Sequence, residues 1–206
     1  MSPVVATTGL WIAIGALGVL LIAGSAGMFL LLAMGRLWLD LGWGRSVHTL
    51  GPITIRIAAP RDLVFEIINA PYSARAPSGS GIDVIARSDD LVVAAHHTKV
   101  HFYMARTVEV VEFEPPSRVG FRHLTGPVPH AVEQFALEQF DEGTELDYSG
   151  EVGIDFFVLG RLAARYWVRP QWERAVREHL EEVKERAEQR AAAHRSRQAR
   201  AAARER

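Results

Sequence analysis

The chain has 206 residues, no cysteine and a formal net charge of −1, with 23 Lys and Arg against 24 Asp and Glu. All of these charges lie beyond residue 35, so the mean hydropathy averages an apolar leader with a polar body. That partition excludes a uniformly soluble protein, a disulfide-stapled miniprotein and a multi-span transporter, and the near-zero charge gives no reason to expect nucleic acid as a partner.

Residues 9–35 hold one conventional polar side chain, Ser25. At about 1.5 Å rise per residue a helix of this length covers about 40 Å, more than the roughly 30 Å hydrocarbon core of a bilayer. Trp11 and Trp38 fall where the two headgroup layers would lie. No Lys or Arg precedes the run, which argues for a retained transmembrane anchor rather than a cleaved signal peptide. Arg36, Arg45, Arg56 and Arg61 follow it. The positive-inside rule therefore predicts a single-pass protein of the cell membrane, N-terminus outside and C-terminal domain cytoplasmic.

Residues 40–51 are Gly-rich and are expected to be a linker between the anchor (1–39) and a domain over 52–190. Ile53, Ile55 and Ile57 alternate with polar residues, the period of a half-buried strand. Pro60, Arg61 and Asp62 suit a first helical turn, and Leu63, Val64, Ile67 and Ile68 supply its apolar stripe. A loop is expected at 78–81, then strands over 82–86, 91–97, 107–113, 119–124, 131–140 and 144–152, each closed by turn residues. Short connections predict an antiparallel meander. From Phe157 the period becomes helical. Pro170 must kink or restart that helix, after which Trp172, Val176, Leu180, Val183 and Ala187 form one apolar stripe. Glu173–Arg177 and Glu182–Arg186 are spaced for ion pairs across one turn. Residues 191–206 form an Arg/Ala-rich tail, read as a fraying helical extension or a disordered segment, with arginines placed to attract anionic lipid.

This order of elements predicts an α+β, helix-grip fold: a curved antiparallel β-sheet wrapped around a long C-terminal α-helix, preceded by one transmembrane helix. In detail the body resembles the SRPBCC superfamily of START-related lipid-transfer domains, birch-pollen-allergen-like proteins, polyketide cyclases and coenzyme Q-binding proteins. The likeness is carried by ITIRIAAPRDLVFEII at 53–68, by TVEVVEFEPPSRVGFR at 107–122 and by the terminal helix around Trp172. The turn GPVPH at 126–130 is similar to that of an actinobacterial, membrane-anchored branch. The resemblance implies a cavity between sheet and C-terminal helix for a hydrophobic small molecule or lipid, such as a sterol, an isoprenoid quinone or a polyketide. No cofactor is expected, and the resemblance leaves open a polyketide cyclase/dehydratase-like enzyme or a non-catalytic scaffold for a protein partner.

Residue chemistry nominates cavity candidates but no catalytic residue. Symmetric pairing about the 126–129 turn would set Arg122 opposite Glu133, on a face shared with Leu124, Ala131, Phe135 and Leu137. Tyr148 offers a hydroxyl from the last strand, and His123 is the central histidine candidate. His97 and His101 would approach each other if a turn fell at 98–100. With no cysteine and no His-x-x-x-His on a helix, no metal site is expected. A nucleophile elbow and a phosphate loop are also missing from the sequence.

Overall fold

The computed structural model describes residues 3–73, 81–100, 103–141 and 143–204. The N-terminal helix α1 (Pro3–Ala33) precedes β1 (Ser46–Ile57), α2 (Arg61–Asn69) and a short 3-10 turn (Ala70–Tyr72). Six strands follow: β2 (Ile82–Arg87), β3 (Leu91–Val100), β4 (Tyr103–Glu114), β5 (Arg118–Thr125), β6 (His130–Phe140) and β7 (Gly143–Ile154). The chain ends in α3 (Phe157–Ala163), a π-helical turn (Ala164–Val168) and the long α4 (Arg169–Arg204). The expected loop residues 78–80 and His101 lie outside the described residues.

The strands form one seven-stranded antiparallel sheet in the order β1-β7-β6-β5-β4-β3-β2. It is a meander from β2 to β7, with β1 closing against β7. β1 begins at Ser46, inside the stretch expected as linker, and continues through an irregularity between Leu50 and Ile53. Gly51 turns that corner at φ +76°, and a Cβ there would lie 2.8 Å from the Tyr148 carbonyl oxygen. Only glycine fits.

The inner face of the sheet holds α2 and α4, which is the helix grip. α2 buries Val64, Phe65, Ile67 and Ile68, as its apolar stripe predicts. α4 packs along α2 and β1 and buries Leu180, Val183, Ala187 and Ala191, with Trp172 and Val176 partly covered. It remains helical through Arg204, so most of the expected tail is part of α4. Pro170, which can donate no backbone hydrogen bond, follows directly on the π turn; that wider turn takes up the break the proline imposes. Glu182 and Arg186 pair at 3.4 Å. Glu173 instead pairs backwards with Arg169 at 2.9 Å and also accepts the Gly51 N–H, so the expected partner Arg177 is not its closest cation.

The segment Gly9–Leu32 is long and apolar enough to cross a membrane and is not buried against the domain. Its connection to β1 is tied to the end of β7 by Asp155, while Asp40 also pairs with Arg45. Asp155 accepts the N–H groups of Leu41 (3.1 Å) and Gly42 (3.0 Å) and the Nε of Arg45 (2.8 Å). The Arg45 bond leads burial and lowers the Asp155 pKa below the usual carboxylate value. Asp155→Ala is expected to cost about 2 kcal/mol, since it strips charged hydrogen bonds from a buried acceptor. Because the folded pKa is depressed, that contribution is complete above the unfolded pKa of about 3.9 and fades as pH falls through the folded value. Urea titrations of parent and variant should therefore differ at pH 7 and converge in strong acid.

A buried acid–imidazole chain as the candidate functional site

Register decides which side chains reach the interior. β5 and β6 pair Phe121 with Glu133 and Arg122 with Val132, one residue away from the symmetric expectation. The cause is an irregularity in β5: Thr125 pairs with Val108 but His123 with Glu109, leaving Leu124 as an extra residue. A one-residue slip exchanges the faces of a strand. His123 consequently points inward, while Arg122 and Leu124 are exposed on the outside. The expected Arg122–Glu133 pair does not form. Arg122 instead lines an outer depression of about 340 Å³ with Arg118, Gln134 and Ser149. A second depression, of about 260 Å³, opens beside Asn69, Arg87 and Phe113.

Glu133, Phe135, Tyr148 and His123 converge on the inner face, joined there by Glu109, His96, Tyr72 and Trp172. Glu133 accepts hydrogen bonds from the Tyr148 hydroxyl and, at 2.6 Å, from the Trp172 indole N–H of α4. His123 Nε2 lies 3.6 Å from Glu133 and 3.2 Å from Glu109. Glu109 also accepts the Thr107 hydroxyl at 2.7 Å and sits 3.6 Å from His96 Nε2. Tyr72, at the end of α2, reaches His96 at 3.3 Å. The result is a row of polar side chains in close contact, Tyr72–His96–Glu109–His123–Glu133–Tyr148/Trp172, with hydrogen bonds at its two ends and 3.2–3.6 Å approaches between. Gly150, opposite Glu133 in β7, makes room for it: a Cβ there would lie 2.7 Å from the Val132 carbonyl oxygen and 3.1 Å from Glu133 itself.

The surroundings are aromatic. Phe121 meets Phe135 edge-on at 5.3 Å, Phe135 lies 5.7 Å from Tyr148, and the Trp172 ring covers His123 at 5.3 Å. His179 of α4 stacks on Phe135 at 6.2 Å. Desolvation lowers the His179 pKa.

Burial and charge act on the two central histidines in opposite senses. For His123, burial alone would lower the pKa, but the interaction with Glu133 and the charges of Glu109 and Glu133 outweigh it and hold it above 6.5. For His96, burial wins over Glu109 and the pKa falls. Burial would raise Glu133, but His123, Tyr148 and Trp172 together keep it below 4.5. Tyr72 and Tyr148 are pushed up by burial and remain protonated donors. The centre is thus the His123 ring set between the carboxyl groups of Glu109 and Glu133. Its Nδ1 is buried and has no partner among the described residues. A buried ring nitrogen left this way costs about 1–3 kcal/mol and is free to form a hydrogen bond with a polar atom of a bound molecule.

A curved antiparallel sheet closed on a long C-terminal helix, with its polar groups on the concave face, defines a helix-grip protein. Within that class the chain belongs to the polyketide cyclase/dehydrase and lipid transport family, whose model matches residues 53–188. No curated protein matches the chain significantly. Among solved structures it is similar to TTHA0849 from Thermus thermophilus, with a TM-score of 0.56 and 18% identity over 68% of this chain and 97% of that one. The di-domain ARO/CYC protein BexL of the BE-7585A biosynthetic pathway gives 0.58 and 23% identity, covering 70% of this chain and 50% of that one. Ara h 8.0201 gives 0.51 and 10% identity, over 72% and 99%. These likenesses show a shared fold.

Proposed function

We propose that the chain is a membrane-anchored binding protein for a hydrophobic small molecule or lipid, for example an isoprenoid quinone or a polyketide-like compound. The apolar body of the ligand packs between sheet and α4 against Phe121 and Phe135, and its polar end meets His123, Glu133 and Tyr148. One observation carries this reading: the acid–imidazole chain stands in an otherwise apolar interior, with the Nδ1 of His123 unpartnered. Buried ion pairs seldom stabilise a fold more than well-packed apolar residues would. A polar atom of the ligand bonded to His123 accounts for the open ring nitrogen. In the same reading α1 is the anchor, and the arginines from Arg36 onward put the domain on the cytoplasmic side.

The test is native mass spectrometry with organic extraction on the full chain purified in detergent from its native host. An apolar molecule should co-purify, and Glu133→Gln should weaken its rebinding about tenfold, as loss of one charged contact implies. If no lipid, quinone or polyketide co-purifies or binds when added, the reading fails. A second reading, a cyclase/dehydratase-like enzyme, is favoured by the raised pKa of His123, which suits a general acid near neutral pH.

A further inference from the structure

Every helix of the domain turns its apolar side chains inward except one. In α3 and the π turn they face solvent: Phe157, Val158, Leu159, Leu162, Tyr166 and Trp167 are between 49% and 73% exposed. Trp43 of the connection, 62% exposed, packs on Phe156 and Phe157 and extends this surface. A contiguous apolar patch of this kind marks a surface that something covers.

Three observations identify what covers it. The first is continuity with the candidate span. The Trp167 ring lies 5.0 Å from Phe29, three residues inside the end of Gly9–Leu32. At about 1.5 Å per residue this sets Trp167 about 4.5 Å inside the end of the span, where acyl chains meet headgroups. The second is composition. Tyr166 and Trp167 are interfacial aromatics, and Arg161 and Arg165 stand exposed among them. Apolar, aromatic and basic side chains on one short helix suit an anionic membrane surface.

The third is rigidity. Phe156 and Phe157 both adopt left-handed backbone, at φ 77° and 50°. Their N–H groups are tied to the carbonyls of Trp43 (2.8 Å) and Gly44 (3.0 Å). Trp43 packs edge-on against Phe157 at 5.5 Å, and Asp155 locks the neighbouring loop. Strain at two adjacent non-glycine residues persists only where surrounding contacts over-determine it. Here those contacts fix the patch relative to the 41–44 loop, which leads from α1 into β1.

We infer that residues 156–168 form a second membrane contact, lying in the headgroup layer of the leaflet from which α1 enters the domain. Leu159, Leu162 and Trp167 face the acyl chains, and Arg161 and Arg165 meet anionic headgroups. The strand ends Ser46, Thr125, His130 and Ile154 lie at this same end of the sheet. The contact therefore presses the His123 end of the domain onto the bilayer, where an apolar ligand would enter. The inference rests on the reading of α1 as a span but not on the ligand.

The absence of cysteine makes the experiment clean. The full chain is reconstituted in vesicles of phosphatidylcholine and phosphatidylglycerol, with an environment-sensitive fluorophore on one introduced cysteine at a time. Leu159→Cys and Leu162→Cys report on the patch, Leu20→Cys on the middle of the span and Glu181→Cys on α4. Leu159 and Leu162 probes should be blue-shifted and quenched several-fold more by shallow than by deep spin-labelled lipid. The Leu20 probe should be quenched mainly by deep spin labels, and the Glu181 probe by none. A deep Leu20 probe with the Leu159 and Leu162 probes as unquenched as Glu181 overturns the inference alone. An unquenched Leu20 probe overturns the span as well. Shielding of Leu159 without lipid quenching assigns the patch to a protein partner and also overturns it.

Discussion

Glu133→Ala should destabilise the domain by about 3–5 kcal/mol, near the upper limit for a single substitution. The carboxylate is the shared acceptor of Tyr148 and Trp172 and one of the two counter-charges of His123. Truncation leaves two buried donors without an acceptor, at about 1–3 kcal/mol each, and takes away one of the two carboxyl groups beside His123. Glu133→Gln keeps an acceptor for both donors and removes only the charge, so it should cost markedly less. Urea titration followed by far-UV circular dichroism separates the two variants. Equal losses would mean that the charge carries the whole effect and the acceptor shared by Tyr148 and Trp172 adds nothing.

The pH dependence of that difference follows from the signs of the shifts. Glu133 is depressed in the folded state, so its contribution is complete above its unfolded pKa of about 4.3 and lost as pH falls through the lower folded value. His123 is raised, so its contribution is complete below its unfolded pKa of about 6.5 and lost as pH rises through the higher folded value. The stability gap between the parent and Glu133→Gln should therefore be widest between about pH 4.3 and 6.5 and narrow on both sides. His96 and His179, both depressed by burial, resist protonation and lower absolute stability in acid. They do so in both proteins and largely cancel in the difference.

The order of elements was legible because each strand is bounded by turn residues and the terminal helix carries one apolar stripe. The site was legible only in pieces. Glu133, Phe135, Tyr148 and His123 stand out by type, but the residue that sorts them by face, Leu124, is an ordinary strand residue. Nothing in its side chain announces a β-bulge, and a bulge moves every later side chain to the other face. Glu109 was hidden for a related reason. In TVEVVEFE the apolar residues Val108 and Val110 occupy one face and Val111 and Phe113 the other, so the alternation does not say which side is buried. Tyr72 and Trp172 reach the chain from two helices far apart in sequence, a convergence that only the packing of α2 and α4 fixes. The outward stripe of α3 shows the opposite failure. Its helical period is plain, yet a period cannot tell whether the apolar face meets protein or lipid.

Gly160→Ala is expected to lose about 3 kcal/mol or more, a reversal of the roughly 1 kcal/mol that alanine normally gains over glycine inside a helix. A Cβ at this position would lie 1.8 Å from the Asp155 carbonyl oxygen and 3.2 Å from that of Ile154. These are backbone atoms, and no side-chain rotation relieves them. The helix must start so close to β7 because Phe156 and Phe157 reverse the chain in two left-handed residues, and Gly160 donates back to the Phe156 carbonyl at 3.3 Å. Displacing that turn lifts Phe157 from Gly44, where even one added methyl would lie 2.4 Å from the ring. The loss should therefore be local. Amide exchange should accelerate in residues 156–168 and in the 41–45 loop, while the central strands β5 and β6 keep their protection. Gly120→Ala serves as the comparison, since its nearest neighbours stand 3.9 Å away. It should leave exchange in both regions unchanged. Uniform acceleration across the sheet in Gly160→Ala would show that the α3 turn supports the whole fold rather than the presentation of its apolar face.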